Sequence, residues 1–279
     1  MAVSVIQRIR NVYHNLSKGH KRVANLILRN PTSIQGLSCF EIAKKSDVSE
    51  STVVRFINTI GYDSFVTFKS DIDCEVYNDM DEHKRIVALS SNGFTNNLID
   101  QTMLLDIKNI RGTLDGIDRE KINQFVSDSI SSKRKFIIGL GNDELLAKLL
   151  YNNFVAIFDN VCLLLSHDNH FDHLFSLSRG DQVIVFSLAD KSSKLGGISK
   201  FAFDKNAIVS LFTDHESSSL SEFARHLIVA KSDSLSFNES FVSASSIISA
   251  ITLEIIRKDR QRIVNRHKQL NAIKLKYGN

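Results

Sequence analysis

Between residues 136 and 230 the chain carries five short, unbroken apolar runs: FIIGL (136–140), VCLLL (161–165), QVIVFS (182–187), AIVSLF (207–212) and HLIVA (226–230). Apolar residues at successive positions, without the polar alternation of a half-solvated sheet, call for strands covered on both faces. Segments of helix-compatible length separate the runs, which is the spacing of β-α-β units and a parallel sheet. The expected architecture for this part is therefore an α/β/α sandwich with a five-stranded parallel sheet. A long helix over about 240–258 follows it and runs into a basic tail.

The first seventy residues have a different texture, that of short helices. Ser17 precedes KGHKRVANLILRN, which stops at Asn30-Pro31, because proline cannot continue the helical hydrogen-bond ladder. SCFEIAKK begins at Ser38, and ESTVVRFINTIG follows Ser49 and closes at Gly61. From about 72 to 130 the pattern stays helical, with apolar positions at Leu98, Met103, Leu104, Ile107 and Ile110. The fold class expected for the whole chain is α + α/β. Residues 1–75 form an all-α domain, 76–110 linking helices, 111–258 the α/β domain and 259–279 a basic tail.

A length of 279 residues with 43 % hydrophobic and 24 % charged side chains suits two packed domains. Cys39, Cys74 and Cys162 are widely spaced and form no C-x-x-C pair, which points to reduced thiols rather than a disulfide framework or a zinc site. No stretch approaches the roughly 18–20 apolar residues of a membrane span, and a cytoplasmic location is expected. Charge is unevenly distributed. Residues 1–70 hold ten Lys/Arg against four acids, and residues 257–279 hold eight against Asp259, so the ends carry +6 and +7 and the middle −9. A basic front on an acidic body fits a nucleic-acid module attached to something else, although charge runs are commonly only solvated faces.

In ESTVVRFINTI, Val53, Phe56, Ile57 and Ile60 recur at i, i+3, i+4 and i+7, forming one apolar stripe. Ser51, Arg55 and Asn58 stand on the reverse side, flanked by Thr52 and Thr59. Short hydrogen-bonding side chains with one arginine suit base edges and phosphates in a major groove. Ser49 can cap the helix, whose free N–H groups also favour a phosphate. Ile42 and Ala43 would pack the preceding helix, and Asp47 in the short turn tolerates a left-handed conformation. From the residues alone, an ordinary helical hairpin and a helix-turn-helix both remain open.

The run SCFEIAKKSDVSESTVVRFINTIGYDSFVTFK resembles the N-terminal domain of RpiR-type bacterial regulators at Ser38, Glu41, Ile42, Ala43, Val48, Ser49, Ser51–Phe56, Ile60–Tyr62, Phe65, Phe68 and Lys69. LSKGHKRVANLILRNP upstream also fits, with His20 where the family usually has Glu, and Asp47 replaces the turn glycine. The resemblance implies a regulator that binds double-stranded DNA as a homodimer or homotetramer. Ser49, Glu50, Ser51, Thr52, Arg55 and Asn58 would face DNA, with Lys44, Lys45 and Lys69 on phosphates. Neither catalytic activity nor a cofactor is expected.

The C-terminal two thirds resembles a SIS (sugar isomerase) domain, the usual partner of that module, which binds phosphosugars at the carboxyl ends of its strands. Where the family has G-x-G-x-S, this chain keeps Gly139 and Gly141 but places Asp143 at the serine. Where it has S-x-S-G-x-T, Ser187 and Ser192 remain, while Ala189 and Asp190 stand for serine and glycine. The effector residues this implies are Gly141, Asn142, Asp143, Ser187, Lys191, Ser192, His170 and Glu239. Like charges ~4 Å apart repel by a few kcal/mol at intermediate dielectric, so a carboxylate at the phosphate position is unfavourable unless Lys191 and Lys194 compensate. Three readings stay open: a phosphosugar in an altered loop, an unphosphorylated or other small molecule, and a domain that only dimerises.

SHDNHFDH places His167, His170 and His173 at i, i+3 and i+6 with Asp168 and Asp172 between them. Metal ligation is one reading, but i and i+6 do not share a helix face; a polar helix start or pocket wall is expected instead. The basic tail reads as a solvated helical extension, with a supplementary phosphate contact or an inter-subunit helix as the alternative.

Overall fold

The computed structural model describes residues 4–34, 37–78, 98–189, 193–236 and 238–277. They fall into two compact units, one of residues up to Lys108 with a short stretch beginning at Asp233, the other of the remainder from Asn109 onward.

In the first unit, α1 (Val5–Val12), α2 (Lys18–Arg29), α3 (Cys39–Lys45), α4 (Glu50–Thr59) and α5 (Phe65–Asn78) surround one core. The serines at 17, 38 and 49 act as N-caps, each side chain accepting a backbone N–H three residues on. At Ser38 the cap is reciprocal, because Glu41 returns its carboxylate to the Ser38 N–H at 2.7 Å. Ile27, Ile42, Val53 and Phe56 are fully buried, and burying each such side chain contributes about 1.5–3 kcal/mol. Helix α6 (Leu98–Gly116) begins in this unit, with Leu105 packed on Leu235. Residues 79–97 of the expected linking region lie outside the described residues.

The second unit is built on β1 (Lys135–Gly139), β2 (Val161–Leu164), β3 (Gln182–Ser187), β4 (Ile208–Thr213) and β5 (His226–Val229). They pair in parallel in the order β2-β1-β3-β4-β5. Alternate strand residues serve the two faces. Ile137, Ile184 and Phe212 pack with α7 (Arg119–Ser131), α8 (Glu144–Ile157) and α11 (Val242–Lys258). Phe136, Ile138 and Val185 pack with α9 (His170–Leu174) and α10 (Ser193–Asp204). The expected five-stranded parallel sandwich and helical N-terminal region are both observed.

Because β1 is followed by its neighbour on one side and then by its neighbour on the other, the chain reverses winding between β1 and β3. Open α/β sheets leave a crevice at such a point, outside the carboxyl ends of the strands. The tail forms α12 (Arg260–Tyr277), largely exposed but anchored at its start. Ile263 is buried, and Arg266 donates to the carbonyls of Val155 and Phe158.

Candidate nucleic-acid interface and effector site

Helices α3 and α4 meet across a tight corner. Val48 N donates to the Ala43 carbonyl at 3.0 Å, and Asp47 takes a φ of 52°, the left-handed conformation that an Asp in the glycine's place must adopt. On α4, Val53, Phe56 and Ile57 are buried while Ser51, Arg55, Asn58 and Thr59 are exposed. Beneath Thr52 lies Gly19, where an added Cβ would come within 3.2 Å of the threonine methyl. The Ser49 hydroxyl lies 2.9 Å from those of Ser51 and Thr52, so three hydroxyls cluster at the helix start. Arg55 lies back along its helix, Nε 3.3 Å from the Ser51 carbonyl. Glu50, Lys44 and Lys45 are exposed beside this face.

Lys69 departs from the expectation. It is buried, and its ammonium pairs with the buried Asp73 one turn along α5. Burial pulls the Lys69 pKa down and pushes that of Asp73 up, each opposed by the partner's charge. A side chain committed to an internal ion pair is withdrawn from phosphate contact. His20, at the position usually held by Glu, meets the Phe56 ring edge-on at 5.9 Å, and its pKa is lowered by burial and then by Arg55.

In the second unit the loop after β1 is a 3-10 turn, Gly141–Asp143. Gly139 has no room for a side chain: a Cβ there would lie 2.5 Å from the Asp143 carbonyl oxygen and 2.8 Å from Ala147 Cβ. Gly141 has a φ of 55° and donates its N–H to Ser166 Oγ at 2.9 Å. Asn142 Nδ2 donates to Asn238 Oδ1 at 2.6 Å. Asp143 is fully buried, and its carboxylate accepts from the N–H groups of Leu188 (3.2 Å) and Ala189 (3.1 Å) in the loop after β3. Asp143, expected at the serine position beside a ligand phosphate, instead turns inward, where backbone amides donate to its carboxylate.

Ser166 connects the loops on this side. Its N–H donates to Glu144 at 2.9 Å and its carbonyl accepts from Lys194 at 3.4 Å. Hydrogen bonding from Ser166, helped by Lys148, holds the Glu144 carboxyl down at about 2. Ser187 is buried at the end of β3, and Glu239 is half-buried next to Asn238. Lys191 and Ser192 lie outside the described residues.

His170 is 1 % exposed and neither ring nitrogen makes a hydrogen bond of normal geometry; burial, and then the Lys194 charge, lower its pKa. His167 and His173 are exposed, so the three histidines occupy different environments. Among the described residues no group of three or more His, Cys, Asp or Glu is placed to hold a metal, and no helix is long and apolar enough to cross a membrane. Sequence reasoning missed Ser166, Glu144 and Asn238 as parts of this loop cluster, because their roles depend on contacts 22 to 96 residues away in the chain.

The helix-turn-helix domain model of the rpiR family matches residues 3–79, and the SIS domain model matches residues 130–256. An uncharacterized HTH-type transcriptional regulator of Haemophilus influenzae is 27 % identical over 230 residues, 81 % of this chain and 79 % of the relative. The HTH-type transcriptional regulator HexR of Escherichia coli is 25 % identical over 215 residues, 76 % of this chain and 72 % of HexR. Among solved structures, the Vibrio vulnificus NanR protein complexed with ManNAc-6P has a TM-score of 0.58 at 17 % identity, covering 98 % of this chain and 99 % of NanR. The sugar isomerase domain of the RpiR transcription factor from Sphaerobacter thermophilus has a TM-score of 0.61 at 18 % identity, covering 63 % of this chain and 99 % of that one. At these identities the solved structures speak for the fold. With both domain models matched in order, the chain carries a helix-turn-helix domain of the rpiR family followed by a SIS domain.

Proposed function

We propose that this protein is a sequence-specific, DNA-binding transcription regulator of carbohydrate metabolism, controlled by a sugar phosphate or related small molecule held in its SIS domain. Residues 1–75 are the DNA-reading domain and 111–258 the sensing domain. The observation that carries the reading is α4 itself: Val53, Phe56 and Ile57 are buried in its own domain, and Ser51, Arg55 and Asn58 are left outward. Arg55, Ser51 and Thr52 read bases or phosphates, Ser49, Glu50 and Asn58 border them, and Lys44 and Lys45 contact phosphates.

The effector crevice lies between the loops after β1 and β3, with Gly141, Asn142, Ser187 and His170 about it and Glu239 at its edge. The protein acts as a homodimer or homotetramer, so that two α4 helices meet half-sites one helical turn, about 34 Å, apart or a multiple of it. Effector binding controls DNA binding by having different affinities for arrangements that space those helices differently. No enzymatic turnover is part of this reading.

The test is a salt-dependent gel shift on DNA upstream of the protein's own gene, paired with a phosphosugar panel assayed for turnover. Retarded, sequence-selective complexes without turnover are expected. Turnover of a phosphosugar without selective DNA binding would replace the regulator by an isomerase or lyase.

A further inference from the structure

We propose that Asp143 supplies the loop after β3 with an anion of its own, so that the crevice between β1 and β3 turns away phosphorylated ligands and takes an unphosphorylated sugar or polyol. The inference rests on the reading that this crevice holds the effector.

The loop after β3 opens with two successive backbone N–H groups, those of Leu188 and Ala189, an arrangement suited to anions. Here the N–H groups of Leu188 and Ala189 both donate to the Asp143 carboxylate, the latter to both oxygens at 3.3 and 3.1 Å. That carboxylate crosses from the loop after β1 to the loop after β3, the point where the sheet reverses its winding. It has no exposed surface, and its own N–H donates to the Leu140 carbonyl at 3.1 Å. The absence of a side chain at Gly139 lets β1 lie against the Asp143 carbonyl, which holds the turn in place.

A phosphate entering these amides faces two alternatives. It displaces the carboxylate and leaves a buried acid without those hydrogen bonds, or it sits beside a like charge. Either alternative opposes binding, against which stands the Lys194 ammonium that donates to the Ser166 carbonyl at 3.4 Å. The groups around the crevice suit hydroxyls better: the Ser166 hydroxyl, the Asn142–Asn238 amide pair, and the buried imidazole of His170, which in its neutral form donates once and accepts once.

The test uses the full chain with inorganic phosphate and ManNAc-6P as probes, reading saturation and the amide shifts of Leu188 and Ala189. The wild type is expected to leave both amides unmoved at millimolar phosphate. Asp143→Ser and the near-isosteric Asp143→Asn, which guards against a folding failure of the first, are expected to bind phosphate at those amides at least about tenfold more tightly than the wild type. Phosphate or ManNAc-6P moving the two amides in the wild type as strongly as in the variants would overturn the inference and leave the effector site standing. Folded variants with no gain in phosphate binding would likewise overturn it. Probe binding in the variants that moves only amides remote from residues 140–143 and 188–189 would overturn the effector-site reading and the inference together.

Discussion

Arg22 and Asp47 are joined twice across the helix-turn-helix corner, with one guanidinium nitrogen donating at 2.8 Å to both the carbonyl and the carboxylate of Asp47. The contact spans from α2 to a turn whose backbone sits at a φ of 52°. Asp47→Val should destabilise the first unit by about 1–2 kcal/mol, since a β-branched residue resists the left-handed region. Asp47→Gly removes the strain with the carboxylate and should stay near wild type, and Arg22→Ala should cost no more than about 1 kcal/mol because both side chains are well exposed. Urea unfolding of the three variants checks the order.

Gly139→Ala should destabilise the second unit by about 1–3 kcal/mol or more, because the added methyl meets the Asp143 carbonyl and Ala147 with no space to yield. Thermal unfolding followed by circular dichroism measures it. A variant as stable as wild type would mean that the β1 loop relaxes freely.

Much of this fold is legible in the residues. The run QVIVFS coincides with β3, and the serines at 17, 38 and 49 mark three helix starts, since both signals act within a few residues. AIVSLF is displaced by one from β4 because the Ala207 N–H still closes α10, donating to Ala202, so the ladder begins at Ile208. The candidate site is less legible. The direction of Asp143 depends on amides 45 and 46 residues later. Lys69 shows the same limit: its i+4 partner is visible in the sequence, but the packing of α5 that buries both groups is a tertiary effect.

Lys69→Ala leaves Asp73 buried without its counter-charge and should cost about 3–5 kcal/mol, whereas replacing both residues by apolar ones of similar volume should restore most of that stability. The salt dependence of DNA binding separates this role from a phosphate contact. Lys44→Ala and Lys45→Ala should each lower the slope of log K against log salt by about 1, and the doubly replaced Lys69/Asp73 variant should keep the wild-type slope.

His170 and His226 are both held below the ordinary 6.5, first by burial. His226 lies 2.8 Å from Asp128, whose charge only partly offsets that effect. A histidine kept neutral by the fold stabilises fully above 6.5, and that contribution is lost as the pH falls below 6.5 towards the lowered value. Glu144, held at about 2 against an ordinary 4.5, adds a second loss as the pH falls from 4.5 towards 2. Unfolding free energies should therefore decline in both windows, with His170→Gln flattening the first and Glu144→Gln the second. A wild-type stability independent of pH between neutral and about pH 5 would contradict the first assignment.

The regulator reading is tested most directly by Arg55→Ala on duplex DNA selected from a random pool by the wild-type chain, compared with an unrelated duplex at one fixed salt concentration. The loss of one base-reading arginine should remove about 1–3 kcal/mol of discrimination, roughly 5- to 150-fold, while the melting temperature stays at the wild-type value. Wild-type preference for the selected duplex in the Arg55→Ala protein would contradict it.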